Sequence, residues 1–335
     1  NVDWALSRDR YWGTPLPIWI CESCGHQHAV GSVTELREMG RDVAEDIDLH
    51  KPYVDDVLFD CPECDIGTMK RVPQVIDCWF DSGAMPFAQL HYPFENKDEF
   101  EDNFPCNFIC EGLDQTRGWF YSLLAISTLI TGKAPYRNVL VNDLILDKKG
   151  QKMSKSVGNT VNPWDVFNAH GADPLRWYLI SVSQPWLPKR FDTDGVAEVV
   201  RKFFDTLLNV YSFFAMYANI DNFAPGEEGL GEVDLVDELD CWVVSRLNST
   251  ITEVRKCLDG YDLTRAARTI QQFVIDDVSN WYVRRNRRRF WQSGDSSDKR
   301  AAFTTLWEVL VKVSRMMAPI APFVSESLYR SLVAD

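Results

Sequence analysis

Four cysteines, arranged as Cys21-x-x-Cys24 and Cys61-x-x-Cys64, constrain the fold of this chain more than any other feature of its sequence. Two such pairs have the spacing of two knuckles closing on one tetrahedral zinc, so segments distant in sequence must meet at one point. Gly25 after the first pair and Pro62 within the second suit tight knuckle turns. His26 and His28 lie close enough to compete as ligands, but four sulfurs already fill the shell. A closed shell leaves no open position for catalysis, so the expected role is structural. The alternative is four free thiols that happen to be paired. Cys78, Cys106, Cys110, Cys241 and Cys257 are isolated and read as small core or surface residues. The chain opens Asn-Val-Asp-Trp, with no initiator Met and no basic-then-apolar leader, which looks like the middle of a longer chain. With that start, paired cysteines favour metal binding in a reducing compartment, the cytoplasm, over a disulfide framework.

At 335 residues the chain is long enough for two or three domains. No apolar run reaches the roughly 18–20 residues needed to cross a bilayer, so no membrane partner is expected. Residues 1–20 are aromatic and Pro-rich, a loop feeding a short strand, and one short helix is expected at Val33–Met39. From Val75 the pattern alternates: strand (Val75–Phe80), strand (Phe108–Glu111), helix (Thr116–Thr131), strand (Val139–Leu146). That spacing suggests a parallel, doubly wound sheet with ligands in the loops after the strands. After Ser181 the residues 196–223, 234–259, 262–292 and 298–332 read as long amphipathic helices, an all-α bundle.

Two segments carry unabsorbed positive charge. Lys152-Met153-Ser154-Lys155-Ser156 follows a strand and lies between Gly150 and Gly158, which let the loop hinge at both ends. Two lysines three apart with hydroxyls beside them can hold a polyphosphate through ammonium charges, hydroxyls and backbone N–H groups. A solvated basic turn is the rival. Farther on, Arg284, Arg285, Arg287, Arg288 and Arg289 end a predicted helix between Trp281 and Trp291. The i,i+4 pairs stack like charges, a cost better tolerated beside an anionic partner, and the aromatics could stack on unpaired bases. The net charge of −14 argues against binding nucleic acid by overall charge but not against such a local patch. The rival here is a favourable helix C-terminus plus pairing with Asp276, Asp277 and other acidic neighbours.

Lys152–Ser156 is letter for letter the KMSKS signature of class I aminoacyl-tRNA synthetases. Asp77-Cys-Trp-Phe-Asp-Ser-Gly83, Glu111-Gly-Leu-Asp-Gln-Thr-Arg-Gly-Trp-Phe-Tyr121 and Gly171-Ala-Asp-Pro-Leu-Arg-Trp177 resemble the isoleucyl-tRNA synthetases, most closely their eukaryote-like branch. Ser7-Arg-Asp-Arg-Tyr-Trp-Gly13 is similar to the point where their catalytic domain resumes after the editing domain. The resemblance runs from residue 1 to about residue 300. It implies ATP-dependent ligation of isoleucine to tRNA(Ile) through isoleucyl-adenylate, with Mg2+ accompanying ATP and zinc structural. It implies that Lys155, aided by Lys152, is catalytic. Glu111 would meet the ammonium of the amino acid. Asp114 and Gln115 would bond the ribose and adenylate linkage, with Gly112, Met153, Ser154 and Ser156 completing the nucleotide site. Trp79 and Trp119 would wall the branched side chain, against the rival of ordinary core packing. For Glu111 and Asp114 the rival is a role at the N-terminus of the following helix. Arg284, Arg285, Arg287 and Arg288 would contact tRNA.

The fold class expected is an α/β Rossmann-type catalytic half with a small zinc-ribbon insert, followed by an all-α helical-bundle anticodon-binding domain. The expected divisions are 1–20 with 65–160 as the second half of the catalytic domain, 21–64 as the zinc insert, 161–195 as a connecting stem-contact region, and 196–335 as the bundle, truncated at its end. None of the five histidines sits in the family's His-x-Gly-His type motif, and no editing domain is present, so the chain alone is expected not to activate isoleucine at a useful rate. Valyl- and leucyl-tRNA synthetases share the lysine signature and the bundle. A non-catalytic zinc-containing RNA-binding module would explain the cysteines and arginines but not Glu111–Arg117.

Overall fold

The structure, a computed structural model, describes residues 3–226, 229–232, 237–294 and 296–333. It divides into two compact units, Asn1–Leu140 and Val141–Asp335.

The first unit runs β1 (Ser7–Arg8), β2 (Ile18–Cys21), β3 (Gln27–Ala29), α1 (Val33–Met39), β4 (Phe59–Asp60), β5 (Thr68–Arg71), β6 (Val75–Ile76), α2 (Cys78–Gly83), α3 (Met85–Ala88), α4 (Lys97–Asn103), β7 (Ile109–Gly112), a 3-10 turn (Leu113–Arg117), α5 (Trp119–Thr131) and β8 (Val139–Asn142). A four-stranded antiparallel sheet, ordered β3-β2-β5-β4, carries the first cysteine knuckle at the end of β2. Alternation along β2 turns Trp19 and Cys21 inward, onto Leu36, Val54, Phe59 and Met69. Burying an indole strands its N–H unless it is bonded, and Trp19 Nε1 donates to Val57 O at 2.9 Å. Helix α1 matches the sequence expectation because Ser32 caps it, accepting from Glu35 N at 3.1 Å.

The expected strand Val75–Phe80 stops at Ile76. Asp77 ends it: its side chain accepts from Trp79 N at 3.3 Å and opens α2. Helices α2 and α5 approach so closely that a Cβ on Gly83 would stand 2.7 Å from the Ser122 backbone. The helix expected from Thr116 begins at Trp119, after the 3-10 turn.

The second unit runs β9 (Ile145–Leu146), α6 (Pro163–His170), α7 (Ala172–Ser181), β10 (Lys189–Arg190), α8 (Thr193–Val199), a π-helical turn (Val200–Phe204), α9 (Asp205–Asp221), α10 (Glu238–Asp259), α11 (Leu263–Gln272), a π-helical stretch (Phe273–Val283), α12 (Arg284–Trp291), α13 (Ser297–Met317) and α14 (Pro322–Val333). Strands β9 and β10 pair in parallel, Ile145 opposite Lys189. The expected strand Val139–Leu146 is cut at Asp143, whose N–H donates to Pro185 O and whose carboxylate accepts from Leu144 N.

Among the described residues the strands form one four-stranded and three two-stranded sheets, not the continuous doubly wound sheet that the alternation predicts. At the ends of β6 and β8 the side chains of Asp77 and Asp143 take over backbone donors after two to four residues of strand. The four long helices fare better. The segment 196–223 is α8, a π turn and α9, and 262–292 is one run in three registers. The segment 298–332 is split after Met317, where Pro319 has no N–H to continue α13 and Pro322 opens α14. The expected start 234–236 of α10 lies outside the described residues, as do residues 1, 2, 334 and 335. In the bundle core the Trp177 ring stacks on Phe203 at 4.5 Å, and Phe290 meets Phe303 at 5.0 Å. Helix α7 is docked onto α11 by Thr264 Oγ1 donating to Ile180 O at 2.7 Å and by Arg268 donating to Ser181 O and Val182 O.

Candidate active site, zinc knuckles and arginine helix

The four knuckle sulfurs, Cys21, Cys24, Cys61 and Cys64, lie within 4.8 Å of one another. Cys21 and Cys64 are 3.7 Å apart and Cys24 and Cys61 3.6 Å. Zinc–sulfur bonds of about 2.3 Å give a tetrahedron with an edge of about 3.8 Å, so the set fits a zinc ion. Backbone N–H groups of Ser23 and Cys24 point at Cys21 Sγ, and that of Glu63 at Cys61 Sγ, as thiolates require. A Cβ on Gly67 would run into the sulfurs of Cys21 and Cys64. His28 is not a competitor: its Nε2 pairs with Glu35 at 2.9 Å.

In the first unit α2 and α5 bring the two tryptophans to one place. The edge of Trp79 lies 3.0 Å from where a Cβ on Gly118 would stand. Trp79 is 44% exposed, which is not the burial of a core residue. Trp119 is half-buried, its ring fixed by Nε1 donating to Ser82 O at 3.0 Å. Gln115 Oε1 accepts from Trp119 N at 2.9 Å and so caps α5, and its Nε2 donates to Asp114 Oδ2 at 3.1 Å. The cap role falls to Gln115, not to Glu111 or Asp114. Glu111, exposed on β7, makes no ion pair among the described residues. Asp114 folds back over Gly112, its carboxylate 2.7 Å from where a Cβ would be, so a side chain at 112 would push that carboxylate aside. Beneath this corner Asp77 is buried. Burial alone would raise its carboxyl, but hydrogen bonds from Trp4 Nε1 and Trp79 N, with the Arg8 charge at 2.7 Å, hold it below the usual carboxylate range.

The lysine loop belongs to the second unit. Gly150 (φ 81°) and Gly158 (φ 70°) adopt the left-handed conformation that other side chains resist, bounding the loop. Met153 packs on the apolar cluster of Val166, Leu175, Tyr178, Phe191 and Val196. Ser154 and Ser156 hydroxyls meet at 2.7 Å. Lys152 and Lys155 are exposed and make no ion pair among the described residues, so both charges are available to a ligand.

The arginine run separates into two kinds of residue. Arg289 is only 12% exposed in its side chain and is spent internally: it grips both oxygens of buried Asp240 at 2.8 Å and reaches Asp298 at 2.8 Å. Tyr282 completes the group, donating to Asp240 Oδ1 at 2.6 Å. Asp277, an expected partner of the run, pairs instead with Arg246 at 2.9 Å. Arg284, Arg285, Arg287 and Arg288 are exposed, with Arg285 stacked 3.7 Å over the Trp281 ring.

Residues 1–187 match the family described as tRNA synthetases class I (I, L, M and V). The chain belongs to this family. Residues 240–335 match the anticodon-binding domain of tRNA ligase. An isoleucine–tRNA ligase of Clostridium acetobutylicum is 55% identical across 100% of the chain, and an isoleucine–tRNA ligase 2 of Bacillus cereus 56% identical across 99%. The chain spans 32% of the length of each of these relatives. Its fold resembles that of the LeuRS–tRNA–LeuAMS ternary complex of Agrobacterium radiobacter (TM-score 0.69, 20% identity, covering 99% of this chain and 40% of that one). It also resembles Mycobacterium tuberculosis methionyl-tRNA synthetase in complex with methionyl-adenylate (TM-score 0.64, 18% identity, covering 87% and 53%). The chain therefore combines the class I synthetase catalytic fold with a helical anticodon-binding region. No helix among the described residues is long and apolar enough to cross a membrane.

Sequence reasoning about this synthetase singled out the residues that present charge and missed those that hold them in place. Asp77, Asp147 and Asn159 each make three or more hydrogen bonds around the predicted site residues, and Gln115, expected at the adenylate, also caps α5. The available signal was an Asx or Gln residue just before or after a turn glycine or a helix start.

Proposed function

We propose that the chain forms the zinc-ribbon, lysine-loop and anticodon-binding portion of an isoleucine–tRNA ligase, which joins isoleucine to tRNA(Ile) through isoleucyl-adenylate at the expense of ATP. The observation that carries this reading is the lysine loop, glycine-bounded and anchored through Met153, with Lys152 and Lys155 left without acidic partners. Lys155 stabilises the charge developing on the β- and γ-phosphates as the carboxylate attacks the α-phosphate, and Lys152 assists. The hydroxyls of Ser154 and Ser156 and the backbone at Met153 complete the phosphate contacts, with Mg2+ accompanying ATP as substrate.

Glu111 pairs with the ammonium of isoleucine, Asp114 and Gln115 bond the ribose and adenylate linkage, and Gly112 allows close approach. Trp79 and Trp119 wall the side chain, an apolar pocket that separates isoleucine from valine by only about 1–3 kcal/mol. Isoleucine is favoured over valine and leucine as the substrate because the relatives 55% and 56% identical to the chain are isoleucine–tRNA ligases. Cys21, Cys24, Cys61 and Cys64 would hold a zinc ion, which supplies a structural crosslink and no catalytic step. Arg284, Arg285, Arg287 and Arg288 contact tRNA. The domain reading is 1–20 with 65–160, 21–64, 161–195 and 196–335, and the compartment is the cytoplasm.

The test is Lys155→Ala in the full-length gene product. Isoleucine-dependent ATP–pyrophosphate exchange should slow by about 10²–10³-fold while isoleucine affinity stays near its starting value. An unchanged exchange rate would overturn the assignment.

A further inference from the structure

The lysine loop is held by two side chains whose hydrogen-bonding capacity is almost entirely directed at it. Asp147 Oδ1 accepts from Lys149 N at 2.9 Å and from Gln151 N at 2.8 Å, closing the turn ahead of the signature. The Asp147 N–H also donates to Gln151 O at 2.9 Å. Asn159, beyond the signature, accepts from Ser154 N through Oδ1 at 2.9 Å and donates from Nδ2 to Lys152 O at 3.2 Å. The same Nδ2 donates to Asp147 Oδ2 at 3.0 Å, joining the two anchors across twelve positions of sequence. The bonds therefore fall on the backbone of Lys152 itself and on the residue before Lys155. The bond from Asn159, followed by the N–H of Gln151, holds the Asp147 carboxyl below its ordinary range, so it serves as an acceptor only.

We propose that Asp147 and Asn159 are positioning residues, a side-chain clasp that fixes the course of the loop so that Lys152 and Lys155 are presented in one arrangement before nucleotide arrives. This inference rests on the reading of the loop as a phosphate grip. The clasp spares the bound state part of the ordering cost that a free loop would incur on meeting a polyphosphate.

The polarity of the clasp supplies its own test. Asn159→Asp sets two carboxylates against each other at the bridge. Asp147→Asn sets two amides there, and turning one over to repair the bridge costs it a backbone partner. The double exchange Asp147→Asn/Asn159→Asp restores the bridge with donor and acceptor swapped and keeps an acceptor for Ser154 N, Lys149 N and Gln151 N, while losing the bond to Lys152 O. In the full-length gene product, each single variant should raise the KM for ATP in pyrophosphate exchange by about tenfold or more, with the KM for isoleucine little changed. Each should also speed tryptic cleavage after Lys152 and Lys155. The double exchange should recover part of both losses, ending better than either single variant but short of the starting protein because the bond to Lys152 O is missing. Loss of folding alone would lower the saturating exchange rate, leave both KM values unchanged, and not be rescued by the swap. If Lys155→Ala slows exchange while both single variants behave as the starting protein, or if the double exchange is no better than the worse single one, the clasp is wrong. If Lys155→Ala leaves exchange unchanged, the phosphate reading beneath it is wrong instead.

Discussion

Arg289→Ala should be the most destabilising truncation among the five arginines of the run, and the structure sets its size. Asp240 is fully buried and faces three donors: both guanidinium nitrogens of Arg289 at 2.8 Å and the Tyr282 hydroxyl at 2.6 Å. Removing the guanidinium leaves a buried carboxylate with one neutral donor. Breaking a buried pair in this way costs about 3–5 kcal/mol, because the surviving charge has lost its partner and cannot reach water. In urea, with a slope of about 2–3 kcal/mol per molar for a unit of this size, the midpoint should fall by about 1–2 M. Far-UV circular dichroism reads this directly, since the unit is mostly helical. Adding Asp240→Asn to Arg289→Ala removes the stranded charge and should recover about half the loss or more. A fall of less than about 1 kcal/mol for Arg289→Ala, or no recovery in the double variant, would refute the account of Asp240 as a buried, ionised acceptor.

Zinc content should be one ion per chain by atomic absorption, and Cys61→Ser or a strong chelator should abolish both the metal and the near-ultraviolet signal of Trp19; a metal-free protein with that signal intact would contradict the knuckle. Asp77 has a lowered carboxyl in the folded state, so its contribution is present above the ordinary carboxylate range near 4 and is lost as pH falls through the lower folded value. Asp77→Asn should therefore flatten the acid limb of the unfolding midpoint against pH, and an unaltered limb would argue against it. Arg284→Ala and Arg288→Ala should each change stability by less than about 0.5 kcal/mol. Each should also lower the salt slope of tRNA binding by about 0.7–0.9, and a slope equal to the unaltered protein's would exclude a phosphate contact.

What the sequence made legible follows the range of the interactions involved. The knuckle pairs, α1 with its Ser32 cap, and the lysine signature are set by residues a few positions apart, and all three stand where the spacing put them. Tertiary competition was harder to read. The aliphatic run through Val75 and Ile76 had the composition of a longer strand, but the choice of Asp77 to cap α2 depends on Trp4 and Arg8, some 70 positions away. The role of Gly83 was equally hidden, since only the helix packed over it forbids a side chain. Within the arginine run Arg289 stood outside the four arginines expected at tRNA, but its acidic partners Asp240 and Asp298 come to it only through the fold.

From Ile270 onward the buried positions Val274, Val278, Tyr282, Asn286 and Phe290 recur at every fourth residue. In an ordinary α-helix of 3.6 residues per turn, a strict repeat of four drifts by about 40° at each step and would wind about 200°, just past the opposite face, after five. The π-helical stretch Phe273–Val283, with its wider i→i+5 turns, acts as a vernier that cancels this drift and keeps one edge of a long rod against the core. The phase of everything downstream is therefore counted from this segment. Deleting a single residue within it would rotate Arg289 away from Asp240 by about 100°, and would carry the Arg284, Arg285 and Arg288 face round with it.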